Sequence, residues 1–220
     1  MDYKACWDYQ ELLLSRIRDQ LLKGEKEVVN CLLFVEHPHV YTLGLHGNAG
    51  NLLIQHDFLS RIGASYYQTN RGGDITYHGP GQIVGYPILN LSAFCTGIRM
   101  YIHMIEEAVL QTLLHFGLQA SRLEGATGVW MMSEGNPPRK ICAIGVRTSR
   151  GVSMHGFAFN VNTCLDYFNH IHPCGFTDKG VTSMEKELGI AQDMEAVKKV
   201  LLEKIRQVFG MEFGDFPFEF

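Results

Sequence analysis

Arg71-Gly-Gly-Asp-Ile-Thr-Tyr-His-Gly-Pro-Gly-Gln82 leads directly into the apolar run Ile83-Val-Gly-Tyr-Pro-Ile-Leu-Asn-Leu91. Glycine lets a backbone take positive φ and approach a ligand closely, at an entropic cost that a short connection avoids. The strand formers that follow would hold the loop on a rigid, buried element. A surface turn is the competing reading of Gly-Pro-Gly taken alone. With an arginine, a threonine, a tyrosine and a histidine in the same stretch, a ligand-binding loop is the better one.

The surrounding pattern alternates helices and strands. Tyr3 to Lys23 carries Leu12, Leu13, Ile17 and Leu21 at helical spacing and stops at Gly24, which predicts an opening amphipathic helix with a glycine just past its end. Val28 to Val35 and Ala64 to Thr69 read as strands. Met100 to Phe116, closed by Gly117, reads as a central helix. Three strands follow in quick succession, Thr127 to Met132, Lys140 to Arg147 and Val152 to Val161, the first two joined by a Gly-Asn-Pro-Pro hairpin. Thr182 with Glu185 forms a capping box for a short helix ending at Gly189, and Asp193 caps a last helix. The tail from Met211 to Phe220 docks as an edge strand or frays. No linker or repeat divides the chain, so one mixed α/β domain over residues 1–220 is expected.

A second segment supplies chemistry. Cys174 lies in Ile-His-Pro-Cys-Gly-Phe, where Pro173 and Gly175 favour a tight turn that would present the thiol. Lys140 opens Lys-Ile-Cys-Ala-Ile-Gly-Val-Arg. A cation beside a thiol favours the thiolate, and a neutral amine there can remove a proton from an attacking nucleophile. That pair suits acyl transfer.

These residues resemble a known family. Arg71 to Gln82, then Gly128-Val-Trp, Lys140-Ile-Cys-Ala-Ile-Gly-Val-Arg, His155-Gly-Phe-Ala-Phe-Asn-Val-Asn and Pro173-Cys-Gly, preceded by Glu36-His-Pro-His-Val-Tyr-Thr-Leu-Gly, are similar in kind and order to the motifs of the lipoyl(octanoyl) transferases. The resemblance runs from about Leu32 to Glu187. It implies the biotin/lipoate protein ligase-like fold, a mixed β-sheet flanked by helices. It also implies transfer of an octanoyl group from octanoyl-acyl carrier protein to a lysine of lipoyl domains, those of 2-oxoacid dehydrogenase complexes and of the glycine cleavage H protein. Arg71, Gly72, Gly73, Asp74, Ile75, Thr76, Tyr77 and His78 would then line the substrate pocket, with Ala143, Ile144 and Gly145 and with Gly156, Phe157 and Ala158. Alternation gives the last strand a small side, Gly156, Ala158 and Asn160, and an aromatic wall, Phe157 and Phe159, for which plain core is the other reading. His78 either bonds the substrate or braces the loop.

Cys174 would attack the thioester as a thiolate, Lys140 would support it and later accept a proton, and no cofactor is required because an amide is more stable than a thioester. The oxyanion donors are expected near Gly145 or the Cys174 turn. The rivals are an ATP-dependent lipoate ligase, which needs no cysteine nucleophile, and a non-enzymatic carrier-protein or metal-binding module.

Composition sets further bounds. Lys plus Arg number 19 against 23 Asp plus Glu, a formal net charge of −4, which gives no global attraction to nucleic acid or an anionic membrane. Arg139, Lys140, Arg147 and Arg150, with Arg71 brought close by the fold, are a candidate docking patch for an acidic partner or an ordinary solvated face. The six dispersed cysteines make no disulfide framework, and Cys31 and Cys142 read as core residues. His37, His39, His170 and His172 lack a familiar zinc spacing, so no metal is expected. No stretch reaches the length of a membrane span, and a cytoplasmic enzyme is the expectation.

Overall fold

In the computed structural model, residues 1–25, 28–173 and 178–214 are described. Helix α1 (Tyr3–Leu22) starts at Asp2, whose carboxylate accepts the Ala5 N–H, and ends at Gly24, φ +72°. Strands β1 (Cys31–Val35) and β2 (Val40–Leu43), helix α2 (His56–Arg61), and strands β3 (Ser65–Gln68), β4 (Thr76–His78) and β5 (Gln82–Ile88) follow. Then come α3 (Ile98–His115), β6 (Ser121–Leu123), β7 (Ala126–Met131), β8 (Arg139–Ser149), β9 (Val152–Asn160), β10 (Gly180–Val181), α4 (Met184–Leu188) and α5 (Met194–Phe209).

Two sheets form among the described residues. The larger has the order β1-β5-β9-β8-β7-β6, with β10 parallel to the start of β8; the smaller has the order β3-β2-β4. One face of the large sheet packs Ile83, Val129, Cys142 and Phe159 against α3 and α5, and the other packs Val84, Tyr86 and Met154 with α1. The small sheet builds its own core from Tyr41, Ile75 and Tyr77, closed by Ile171 and Tyr167.

Three sequence expectations change. The glycine-rich segment is not all loop: Thr76 to His78 pairs with β2, a strand too short to show in periodicity. Ser183, not Thr182, caps α4, accepting the Lys186 N–H at 3.2 Å, while Thr182 donates to Glu187 instead. Phe159 belongs to the core rather than a pocket wall. Of the tail, Met211 to Gly214 is neither helix nor strand, and the remainder lies outside the described residues. Asp193 does cap α5, accepting from Glu195 and Ala196.

Two irregularities shape the large sheet. Val129 pairs with Cys142 but Trp130 pairs with Lys140, so Ile141 is an extra residue in β8. Such a bulge shifts the alternation by one: Ile141 and Cys142 both enter the core, and Lys140 and Ala143 both reach the opposite face. In β5, Pro87 has no N–H to give to β9, and the regular β5–β9 pairing stops at Gly85–Phe157. There His155 takes φ +56°, a left-handed conformation rare for a side chain of this size, and its N–H goes to Gln10 at 3.0 Å.

Candidate active site

Between the two sheets lies a cavity whose empty space, open mouth included, is about 900 Å³. Its floor is a set of rows across the large sheet. Gln82 and Asn160 face each other near Lys140; one step on, Val84, Ala158 and Ala143 align; a further step brings Tyr86 beside Gly156 and Gly145. At about 3.3 Å per residue the first row and the last are about 13 Å apart. The middle of the floor is small and apolar because its side chains end at Cβ or are valine.

Arg71, Gly73, Asp74, Ile75, Thr76 and His78 line the cavity, as do all three residues of each of the other two segments, Ala143 to Gly145 and Gly156 to Ala158. Gly72 and Tyr77 are not among its lining residues. Gly72 donates its N–H to Val146 at 2.9 Å, tying the loop to β8, and Tyr77 is wholly buried in the small-sheet core. The loop lies so close to β8 that a Cβ on Gly145 would stand 2.9 Å from the Gly72 carbonyl oxygen. Asp74 ties the outer side, accepting the Asn48 N–H at 3.0 Å and the Asn51 amide.

A single hydrogen-bonded chain crosses the site. Gln82 donates its amide to Asn160 Oδ1 at 2.9 Å, so its carbonyl oxygen faces His78 Nδ1, also 2.9 Å away. That assigns the proton to Nδ1. His78 Nε2 then accepts from the Thr42 hydroxyl, whose oxygen receives Arg71 Nη2–H at 2.9 Å. Burial, with His37 and Arg71 adding to it, pushes His78 down to about 3, so it is neutral. Both ring nitrogens are used; His78 braces the loop. Arg71 is 7% exposed and also donates to the Thr42 carbonyl. It is therefore no part of a surface basic patch, and Arg139 and Arg147 pair with Glu187 and Glu11, each at 3.1 Å.

Lys140 lines the cavity, with Nζ 4.6 Å from the Trp130 ring centre, a favourable cation–π separation. Gly128 makes this possible: its φ is +117°, and a Cβ there would meet the Cys142 carbonyl at 2.5 Å and Lys140 Cε at 3.5 Å. Its N–H donates to the buried carboxylate of Glu106 at 2.9 Å. Pro173 and Phe168 border the same cavity, together with Lys179 to Val181. Cys174 lies outside the described residues. Gly145 sits five residues along β8 from Lys140, one of them the bulge residue Ile141, so about 13 Å away, and lines the far end, so it is not an oxyanion donor beside Lys140. Cys142 is fully buried, and burial pushes its thiol well above the ordinary range; it is core, as is Cys31.

The histidine-rich segments pack rather than gather. His37 joins the Met1 carbonyl to the Tyr86 hydroxyl, 2.8 Å to each, and His39 stacks on Tyr167 at 4.1 Å between ring centres. Sequence reasoning missed Tyr3, Val84 and Tyr86, which line the cavity with Gln82, the last residue of the predicted binding loop. The one available signal was the alternation of Gln82, Val84 and Tyr86 along β5.

Residues 2–206 match the family model of the lipoyl protein ligase A/B catalytic domain. The octanoyltransferase of Flavobacterium johnsoniae is 52% identical over 218 residues, covering 96% of this chain and 94% of its own length. That of Bacteroides fragilis is 52% identical over 199 residues, 90% of each chain. Among solved structures, a bi-partite lipoate protein ligase from Thermoplasma acidophilum superimposes with a TM-score of 0.69 at 16% identity, covering 93% of this chain and 82% of that one. Lipoate-protein ligase A bound with ATP gives the same TM-score at 16% identity, covering 92% and 82%. The fold is thus that of the lipoate protein ligases, and the chain belongs to the lipoyl protein ligase A/B catalytic-domain family and, within it, to the octanoyltransferases.

Proposed function

We propose that this acyltransferase moves an octanoyl group from an acyl carrier protein to the lysine of lipoyl domains, in 2-oxoacid dehydrogenase complexes and the glycine cleavage H protein, through a thioester at Cys174. One catalytic domain spans the chain, and the enzyme works in the cytoplasm. The observation that carries the reading is that Lys140 lines a cavity floored by alanine, valine and glycine, and that Pro173, the residue before Cys174, lines the same cavity.

In the first half-reaction the Cys174 thiolate, favoured by the Lys140 cation, adds to the octanoyl carbonyl. The new carbon–sulfur bond replaces the old one, and the carrier's thiolate leaves with a proton from Lys140. Lys140 is then a neutral amine. In the second half-reaction the ammonium of the lipoyl-domain lysine gives it a proton, the freed amine attacks the acyl-enzyme, and collapse expels the Cys174 thiolate while the amine nitrogen's second proton passes to solvent, leaving the neutral amide. The cation–thiolate pair is restored. No step consumes a nucleotide, which separates this reading from a ligase on the same fold.

The test is intact mass after mixing the enzyme with octanoyl-carrier protein in the absence of ATP. A gain of one octanoyl group, lost in Cys174→Ala together with transfer to a lipoyl domain, is the expected result. Full transfer by Cys174→Ala, or transfer only with ATP, overturns the mechanism.

A further inference from the structure

We infer that Tyr86, held by His37, is the stop that limits the acyl chain to octanoyl length. The inference rests on the cavity being the acyl slot. The carbonyl carbon has to lie near Lys140, at the Gln82–Asn160 row. An extended chain of bonds near 1.5 Å advances ~1.25 Å per bond, so an octanoyl group spans about 9 Å from its carbonyl carbon to its methyl. The Tyr86 row is about 13 Å away. The difference, about 4 Å, is one carbon–carbon contact distance. Decanoyl, about 2.5 Å longer, would enter the ring.

The stop is rigid for reasons visible around it. Tyr86 is 3% exposed, and its hydroxyl lies 2.8 Å from His37 Nε2. His37 faces a backbone carbonyl, that of Met1, with its other nitrogen, so Nδ1 carries the hydrogen and Nε2 accepts from the phenol. The Tyr3 ring lies edge-on to His37, centres 5.2 Å apart. Beside Tyr86, the loop rests on Gly145: a Cβ there would also stand 3.2 Å from Arg71 Cδ. A longer chain would have to break buried hydrogen bonds to advance, and these are costly to leave unmade.

The experiment compares initial rates of transfer from hexanoyl, octanoyl, decanoyl and dodecanoyl carrier protein to a lipoyl domain, for wild type, Tyr86→Val, Tyr86→Phe and Ala158→Leu. Ratios between chain lengths are read because they do not depend on the fraction of enzyme that is folded. Tyr86→Val should raise the decanoyl-to-octanoyl ratio by roughly 15-fold, the worth of two buried methylenes. Tyr86→Phe keeps the ring but loses its bond to His37, and should raise the ratio far less than Tyr86→Val does. A shift in Tyr86→Phe as large as in Tyr86→Val would make the hydroxyl the determinant and overturn the proposal. An unchanged ratio in Tyr86→Val, with Ala158→Leu moving preference to hexanoyl, would place the stop elsewhere in a genuine acyl slot. No shift in either variant would instead remove the slot reading beneath it.

Discussion

Lowering the pH should unfold this protein through its buried imidazoles, well before its carboxylates protonate. Burial lowers His78 and His155 to about 3 and His37 to about 4, against about 6.5 in an unfolded chain. Each is held neutral in the fold. Between pH 6.5 and 4 the unfolded chain therefore binds protons that the folded chain refuses, and stability rises with pH in that window. It is fully present above pH 6.5 and is lost as pH falls. At pH 5 each such histidine costs roughly 2 kcal/mol, and the three together about 6 kcal/mol relative to pH 8. That is a large part of the 5–15 kcal/mol typical of a domain. His39, lowered by burial as well, acts in the same direction. Carboxylates held low by their arginine partners, such as Glu107, add their loss only below about pH 4.5. Urea unfolding at pH 8, 6 and 5 measures the effect. The slope near pH 5 should approach about 4 kcal/mol per pH unit, and His155→Gln should reduce it by about one proton's worth, ~1.4 kcal/mol per unit. A loss below about 1 kcal/mol between pH 8 and pH 5 would refute the neutral, buried state of these rings.

Two further outcomes are expected around Lys140. Lys140→Met should move the pH profile of Cys174 alkylation by iodoacetamide upward and slow transfer to the amine, while Lys140→Arg keeps the thiolate but still impairs transfer, because guanidinium does not give up its proton; three superimposable profiles would show that Lys140 does not tune the thiol. Gly128→Ala should destabilise by roughly 1–3 kcal/mol in thermal or urea melts, because a Cβ at this positive φ meets the Cys142 carbonyl; a melt unchanged from wild type would show that β7 and β8 are free to part there.

Much of the fold is legible in local pattern. The apolar run after Gln82, the leucine spacing of the first helix and the Asp193 cap each carry their own signal, and each forms where expected. What was not legible depends on partners far away in sequence. Strand β4 exists only because β2 lies beside it. Arg71 looks like a surface cation, yet it is buried because Thr42, 29 residues earlier, offers both a hydroxyl and a carbonyl. The bulge at Ile141 leaves no mark either: Ile-Cys-Ala-Ile-Gly-Val reads as one unbroken apolar run, and only the pairing with Trp130 shows that one residue is supernumerary. Of the site, the motif segments were legible because glycine and small residues announce close approach. Val84 and Tyr86 were not, since on a strand buried along its whole length alternation alone does not tell the cavity side from the core side.

The small sheet is held shut by residues from distant parts of the chain: Tyr77 stacks on Tyr167 at 4.9 Å between ring centres, the Tyr41 hydroxyl donates to the Tyr167 carbonyl, and Leu52 bridges to Ile171. These links span 90 to 126 residues, so their loop-closure entropy is spent before any of them forms. On the ribosome, the binding loop and its strand emerge long before Tyr167 and Ile171 do. At roughly 5–20 residues per second, that interval lasts several seconds or more, during which Tyr41, Ile75 and Tyr77 lack their covering residues. The small-sheet side of the cavity is therefore completed late, and the nascent chain passes through a stage in which the apolar core of that sheet is uncovered and open to other chains.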